Sequence, residues 1–290
     1  RTHIFALGPE SGRLRVVSLD RGYAQWDRLV RRLRAGLTSG GNTAPDLEAL
    51  GKILLGSFTQ ELARAQRLLV LPDSILHIIP FAALRVSKSG KEPGYVSSWL
   101  PVHVGLSMTI SRELAKRRPA QATTRRVVAL GDPDYGPASG AVQQFSLRSF
   151  SRDAESLPPL PGTRREVEQI ARVMGDDAET WLGADASEER VKSLRGEVRV
   201  LHLAGHGLLN DQHPLDSAIA LTRPQPNATG EDGFLQVWEV FEQVLVDADL
   251  VVLSACDTAL GKDLGSEGIV GLSRAFQVAG ARSVLVSLWP

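Results

Sequence analysis

The chain has 290 residues, 43% hydrophobic and 23% charged, enough for one large core or two modest ones. Its 33 basic residues balance 33 acidic ones, so no global field draws it to nucleic acid or an anionic membrane, and no apolar run is long enough to span a bilayer. One cysteine excludes an internal disulfide, fits a reducing, cytoplasmic setting, and makes its own position worth locating.

No charged-then-apolar segment opens the chain, so no signal peptide is expected. Both ends, Arg1 and Trp289-Pro290, are expected to be cuts through a longer protein. Residues 3–7 and 14–19 read as two strands, and Glu10, Ser11 and Gly12 supply turn chemistry for a hairpin. Trp26, Leu29, Val30, Leu33 and Leu37 then share one face of a helix. Arg28, Arg31, Arg32 and Arg34 cover the other face, which reads as solvated, a nucleic-acid patch being the lesser alternative. A second helical stretch is expected over residues 45–65 and a buried strand over 67–71. An apolar segment interrupted by Pro80 follows over 75–84, with His77 inside it as a packed core residue.

Residues 99–106 are expected to form a strand, and Ser107 to cap a helix running to about Lys116. A strand over 126–130 stops at Gly131-Asp132-Pro133, and residues 136–157 read as a surface loop exposed enough for self-cleavage. From Thr163 the pattern sharpens. Thr163 and Glu166 read as a capping box, opening a helix that buries Val167, Ile170, Ala171 and Met174 and stops at Gly175. Strands follow at 178–182, 198–203, 217–221, 250–254 and 283–288, with helices at 187–194, 238–244 and 266–279. This alternation predicts an α/β fold, with a largely parallel sheet covered by helices on both faces.

Parallel sheets present reactive groups at the carboxyl ends of their strands. The strand over 198–203 runs into Ala204-Gly205-His206-Gly207. The strand over 250–254 runs into Ala255-Cys256-Asp257-Thr258. If these strands are neighbours, His206 and Cys256 emerge side by side, and a thiolate beside a histidine is a nucleophile beside a proton acceptor. His206 precedes Cys256 by 50 residues, the separation found in caspases. The backbone N–H groups of Gly207 and Cys256 are candidate donors to an oxyanion.

An apolar block ending in His-Gly, followed by one ending in Ala-Cys, resembles the caspase-like cysteine peptidases. The chain is most similar to the CHAT family among them. The resemblance is carried by residues 71–84, by Leu160-Pro161-Gly162-Thr163-Arg164-Arg165-Glu166-Val167, and by His202-Leu203-Ala204-Gly205-His206-Gly207. It continues in Leu253-Ser254-Ala255-Cys256-Asp257-Thr258-Ala259 and in residues 268–290. It implies a peptide-bond hydrolase with Cys256 as nucleophile, His206 as proton shuttle and no cofactor. It also implies a degenerate caspase-like half over residues 1–150 and a catalytic half over 151–290 that stops short of the family's further acidic segment. Expected partners are a protein or peptide substrate and a regulatory protein or upstream tetratricopeptide repeats, with neither nucleic acid nor membrane.

Asp257 and Glu267 are candidate acidic walls of a substrate pocket, although helix capping or loop solvation accounts for each equally well. His202 reads as a core or supporting residue. Asp211 and His213 sit in a loop that can border the cleft. Gly271-Leu272-Ser273-Arg274-Ala275 lies within a helix, so it is not a serine nucleophile elbow. Gly261-Lys262 lacks the flanking residues of a phosphate loop. A metal is not expected, and a zinc site built from His202, His206 and His213 is the minor alternative. The competing reading of the whole is a catalytically silent scaffold that binds other proteins.

Overall fold

The structure, a computed structural model, describes residues 1–8, 12, 14–87, 92–116, 126–136, 157–195, 197–210, 212–224, 230–255 and 267–287. The chain divides into two compact units, residues 1–113 and 114–288.

In the first unit, β1 (Thr2–Leu7) and β2 (Leu14–Leu19) form the expected antiparallel hairpin, in register from Thr2–Leu19 to Leu7–Leu14. Helix α1 (Tyr23–Thr38) buries Trp26, Val30 and Leu33, spaced four and three apart as one helical stripe requires. The Trp26 indole N–H donates to Thr2 Oγ1 at 2.7 Å, and that hydroxyl donates to Arg21 O at 2.9 Å, so the buried indole is satisfied. The stretch expected as one helix over 45–65 is three pieces: α2 (Ala44–Leu55), a 3-10 turn (Gly56–Phe58) and α3 (Thr59–Arg64). Gly56, a poor helix former, stands where α2 ends.

Strand β3 (Leu68–Val70) is followed by two 3-10 turns, Ser74–Ile78 and Phe81–Ala83, on either side of Pro80. A short antiparallel pair, β4 (Arg85–Val86) with β5 (Gly94–Tyr95), was not legible in the pattern. Strand β6 (Val102–Val104) pairs in parallel with β3. Helix α4 (Met108–Lys116) runs across the division between units, and Ser107 Oγ accepts from Ile110 N at its start as expected. Among the described residues every sheet of this unit is two-stranded.

Gly51 marks where α2 meets β4. A Cβ there would lie 2.2 Å from the Arg85 carbonyl oxygen and 3.0 Å from its carbon, a collision with backbone that no rotamer relieves. Gly51→Ala is therefore expected to destabilise the first unit by about 1–3 kcal/mol, because overpacking outweighs the gain in helix propensity. Thermal unfolding would read this as a lower midpoint; an unchanged or raised midpoint would show that α2 can move away from β4.

The second unit carries β7 (Val127–Pro133), α5 (Pro161–Met174), β8 (Ala178–Gly183), α6 (Glu188–Ser193) and β9 (Glu197–Ala204). It continues with β10 (His206–Leu208), β11 (Ala218–Ala220), β12 (Phe234–Gln236), α7 (Val237–Gln243), β13 (Asp247–Ser254), α8 (Glu267–Val278) and β14 (Val284–Val286). Five strands form one parallel sheet in the order β14-β13-β9-β7-β8. Helices flank it, so the fold is the α/β class read from the sequence. The chain order reverses between β7 and β9, which makes their carboxyl ends the crevice where such sheets bind ligands. Strand β7 falls within the residues assigned from sequence to the N-terminal half, yet it pairs on both sides with strands of the later half.

One face of the sheet, with Val128, Leu130, Leu201, Leu203, Val251 and Leu253, shares a core with Val237 and Val240 of α7 and with Leu272, Ala275 and Phe276 of α8. Helix α5 packs on β7 and β8. Its start corrects the expected capping box. The helix begins at Pro161, whose missing N–H and fixed φ suit the first turn. Thr163 Oγ1 donates to Leu160 O at 2.7 Å and accepts from Asp132 N at 2.7 Å, while Glu166 turns to other partners. Most of the expected loop at 136–157, residues 137–156, lies outside the described residues.

Candidate functional site

Strands β9 and β13 are parallel neighbours, paired from Asp247–Glu197 to Ser254–Ala204. Both apolar blocks therefore end on the same row of the sheet. Gly205 N donates to Ser254 O at 3.3 Å, continuing the contact one residue further. His206 stands two residues past its end of the row, and Cys256 two residues past the other. Cys256 and Asp257 lie outside the described residues, as does the side chain of Glu267, the first residue of α8.

After Ala204 the chain turns out of the main sheet into β10, which pairs antiparallel with β11, and β11 with β12. The expected strand over 198–203 carries no sign of this further strand at His206–Leu208. The six residues of β10 and β12 are too few to show a period of two. Gly207 lies against Ala255: a Cβ at Gly207 would sit 3.4 Å from Ala255 O, in ordinary contact, so the two strand ends meet here. Tyr135, Leu157, Leu208, Ala218, Ala220 and Phe234 form a small core around this second sheet.

His206 is buried, 2% exposed. Its Nε2 is 2.8 Å from Pro158 O, and a carbonyl only accepts, so Nε2 carries the proton and donates. In the neutral ring the lone pair is then on Nδ1. His206 N donates to Tyr135 Oη at 3.3 Å, and the two rings stack tilted by 46° with centroids 5.1 Å apart. Burial pushes the Tyr135 phenol up to about 12, against the lowering effect of the His206 N–H, so it stays neutral at physiological pH. The ring of His206 is thus held on one edge by a carbonyl and on one side by an uncharged aromatic. Sequence reasoning missed both Pro158 and Tyr135. The proline-rich run at 157–161 was the available signal, because such a segment is extended and carries free carbonyls.

Beneath this row, Glu166 of α5 reaches both strands. Its Oε1 lies 3.2 Å from Nε2 of the buried His202 on β9, and its Oε2 accepts from Ser254 Oγ on β13 at 3.2 Å. The His202 contact is close but poorly directed for a hydrogen bond. The His202 ring first, with the Ser254 hydroxyl, holds the Glu166 carboxyl below the usual carboxylate range against the opposing effect of burial.

His202, His206 and His213 do not converge. His202 faces α5, His206 faces Pro158 and Tyr135, and His213 is exposed, so the minor zinc reading is corrected. Among the described residues the one set of carboxylates with metal-like spacing is Glu188, Glu231 and Glu239. Lys192 Nζ sits among them, at 2.6 Å from Glu188, 2.5 Å from Glu231 and 2.7 Å from Glu239, and supplies the cation itself. Asp211 lies outside the described residues. No helix among the described residues is long and apolar enough to cross a membrane.

The family model of the CHAT domain matches residues 44–290. Tetratricopeptide repeat protein 28 of Homo sapiens is 25% identical over 286 residues, a match covering 85% of this chain and 11% of that protein. The protein of the same name from Mus musculus is 25% identical over 284 residues, with the same coverage on both sides. The chain therefore spans about 11% of the length of these curated relatives.

Proposed function

The chain belongs to the CHAT domain family, and from that premise we propose that it is a cysteine endopeptidase acting on protein substrates through a His206/Cys256 dyad. The observation that supports this most directly is the pairing of Ala204 with Ser254, which ends the histidine and cysteine strands on one row. In this reading Cys256 Sγ, as thiolate, attacks the scissile carbonyl carbon. Nδ1 of His206 takes the thiol proton and returns it to the leaving amine. Pro158 O holds the Nε2 proton and so fixes the tautomer that the step requires. The N–H groups of Gly207 and Cys256 are the oxyanion donors. Water then attacks the acyl-enzyme, with His206 as base, and frees the thiol.

Asp257 and Glu267 are the proposed acidic walls for a basic side chain of the substrate. Of the residues 1–150 assigned to a degenerate, non-catalytic half, that role is proposed for those before β7, since β7 belongs to the sheet of the catalytic half. The relatives carry tetratricopeptide repeats in their name, so repeats outside this domain, or a partner bound to them, are the proposed activator, in the cytoplasm.

The test is cleavage of a fluorogenic peptide pool by the whole protein that carries this domain, with and without candidate partners, native against Cys256→Ala. Cleavage that Cys256→Ala abolishes supports the reading. Cleavage that survives it removes Cys256 as nucleophile, and no cleavage with any partner leaves the silent scaffold as the better account.

A further inference from the structure

We propose that Glu166 is a positioning residue for the dyad, tying the carboxyl ends of β9 and β13 together so that His206 and Cys256 keep their spacing. The inference rests on the peptidase reading and adds to it a residue that reading did not use. Its grounds are geometric. Ladder hydrogen bonds hold the two strands in register only as far as Ala204 and Ser254, and one residue later Gly205 N still reaches Ser254 O. Beyond that row β10 leaves for a different sheet, so among the described residues the ladder between the two strands ends there and Gly207 meets Ala255 by contact alone.

Glu166 acts at that point. Its two oxygens go to two strands: Oε1 to His202, four residues before His206, and Oε2 to Ser254, two residues before Cys256. A carboxylate placed only to satisfy a buried imidazole would need one oxygen on one strand. The second arm, to the cysteine strand, is what a spacer requires. The amino-terminal end of the same helix also bears on His206. Thr163 and Arg164 in its first turn tie α5 to Asp132 at the end of β7, at 2.7 Å each. The segment leading into the helix supplies Pro158 O to His206 Nε2. Residues 158–166 thus orient the imidazole and brace the two strands as one piece. A small displacement of that piece moves base and nucleophile apart, and misplacements of about 1 Å cost on the order of a hundredfold in positioned reactions.

The chain holds one cysteine, so alkylation by iodoacetamide reads Cys256 alone and needs neither substrate nor activator. Rates at about pH 6.5, where few ordinary thiols are ionised, would be compared for the native chain, His206→Ala, Glu166→Ala, Glu166→Gln, Ser254→Ala and, as a control far from the site, Glu179→Gln, with a thermal midpoint for each. The expected result is slowing of about tenfold or more in both His206→Ala and Glu166→Ala. Glu166→Gln keeps the shape and a hydrogen bond to Ser254 and stays within about threefold of native, while Ser254→Ala, which loses one arm, lies between. Glu179→Gln is unchanged. Should Glu166→Ala fail to fold, Ser254→Ala carries the test. Slowing in His206→Ala with native rates in Glu166→Ala or Ser254→Ala overturns the positioning role and leaves the dyad standing. Native rates in His206→Ala overturn the dyad, and the positioning role with it.

Discussion

His206→Ala is expected to lower peptide cleavage by about a thousandfold or more while the domain stays folded. The size follows from what the ring does in the proposed mechanism. It holds the proton acceptor beside the thiol and later returns the proton, so one substitution removes both steps. Folding is expected to survive because the Pro158 carbonyl bonded to the ring belongs to an exposed residue, where water can take the ring's place. The measurement is kcat against KM on the best peptide of the pool, with circular dichroism for each variant. A fall carried mostly by kcat fits a residue used in the transition state. A rise in KM with kcat unchanged would reassign His206 to substrate binding.

Lys192→Met is expected to destabilise the second unit by about 3–5 kcal/mol, the largest stability effect we foresee, because it leaves buried carboxylates without their cation. Burial alone would push Lys192 down, but hydrogen bonds to Glu188, Glu231 and Glu239 hold it above the ordinary lysine range, so it stays charged. Three carboxylates around one ammonium cannot all ionise cheaply. Burial, with the hydrogen bond to Glu231, pushes Glu188 from 4.5 up to about 8, and Glu231 is lowered in return. The sign of the pH dependence follows. Between about pH 4.5 and 8 the folded state binds a proton at Glu188 that the unfolded state has lost. Its contribution is fully present below the lower value and disappears as pH rises through the upper one. Carboxyls lowered by partners, such as Glu166 and Glu179, act below that window. Urea unfolding from pH 5 to 8 is thus expected to show stability falling with pH in the native chain and a flatter profile in Glu188→Gln, which mimics the protonated acid. Equal slopes in the two would show that Glu188 is ionised in the folded chain.

The element pattern was legible because strands and helices leave different periods in the sequence. The helix stripe of Trp26, Val30 and Leu33 and the apolar blocks ending at Leu203 and Ser254 stand out for that reason. Strands of two or three residues, β4, β5, β10 and β12 among them, carry less than two repeats of their period, so only pairing partners reveal them. The Thr163–Glu166 spacing fits a capping box locally, and the tertiary contacts overrode it: Asp132, His202 and Ser254 offered both side chains partners that a helix end could not.

By itself the sequence determined the α/β class, the family, and the two short blocks whose ends hold a histidine and a cysteine, since these depend on local composition and order. Only the tertiary structure decided that β9 and β13 are neighbours ending on one row, that Pro158 O orients His206, that Glu166 spans both strands, and that Lys192 occupies the acidic cluster. Apart from Lys192 and Glu188, which are one helical turn apart on α6, these join groups about 40–90 residues apart, and such a partner is chosen by sheet order and helix packing, which no local pattern encodes.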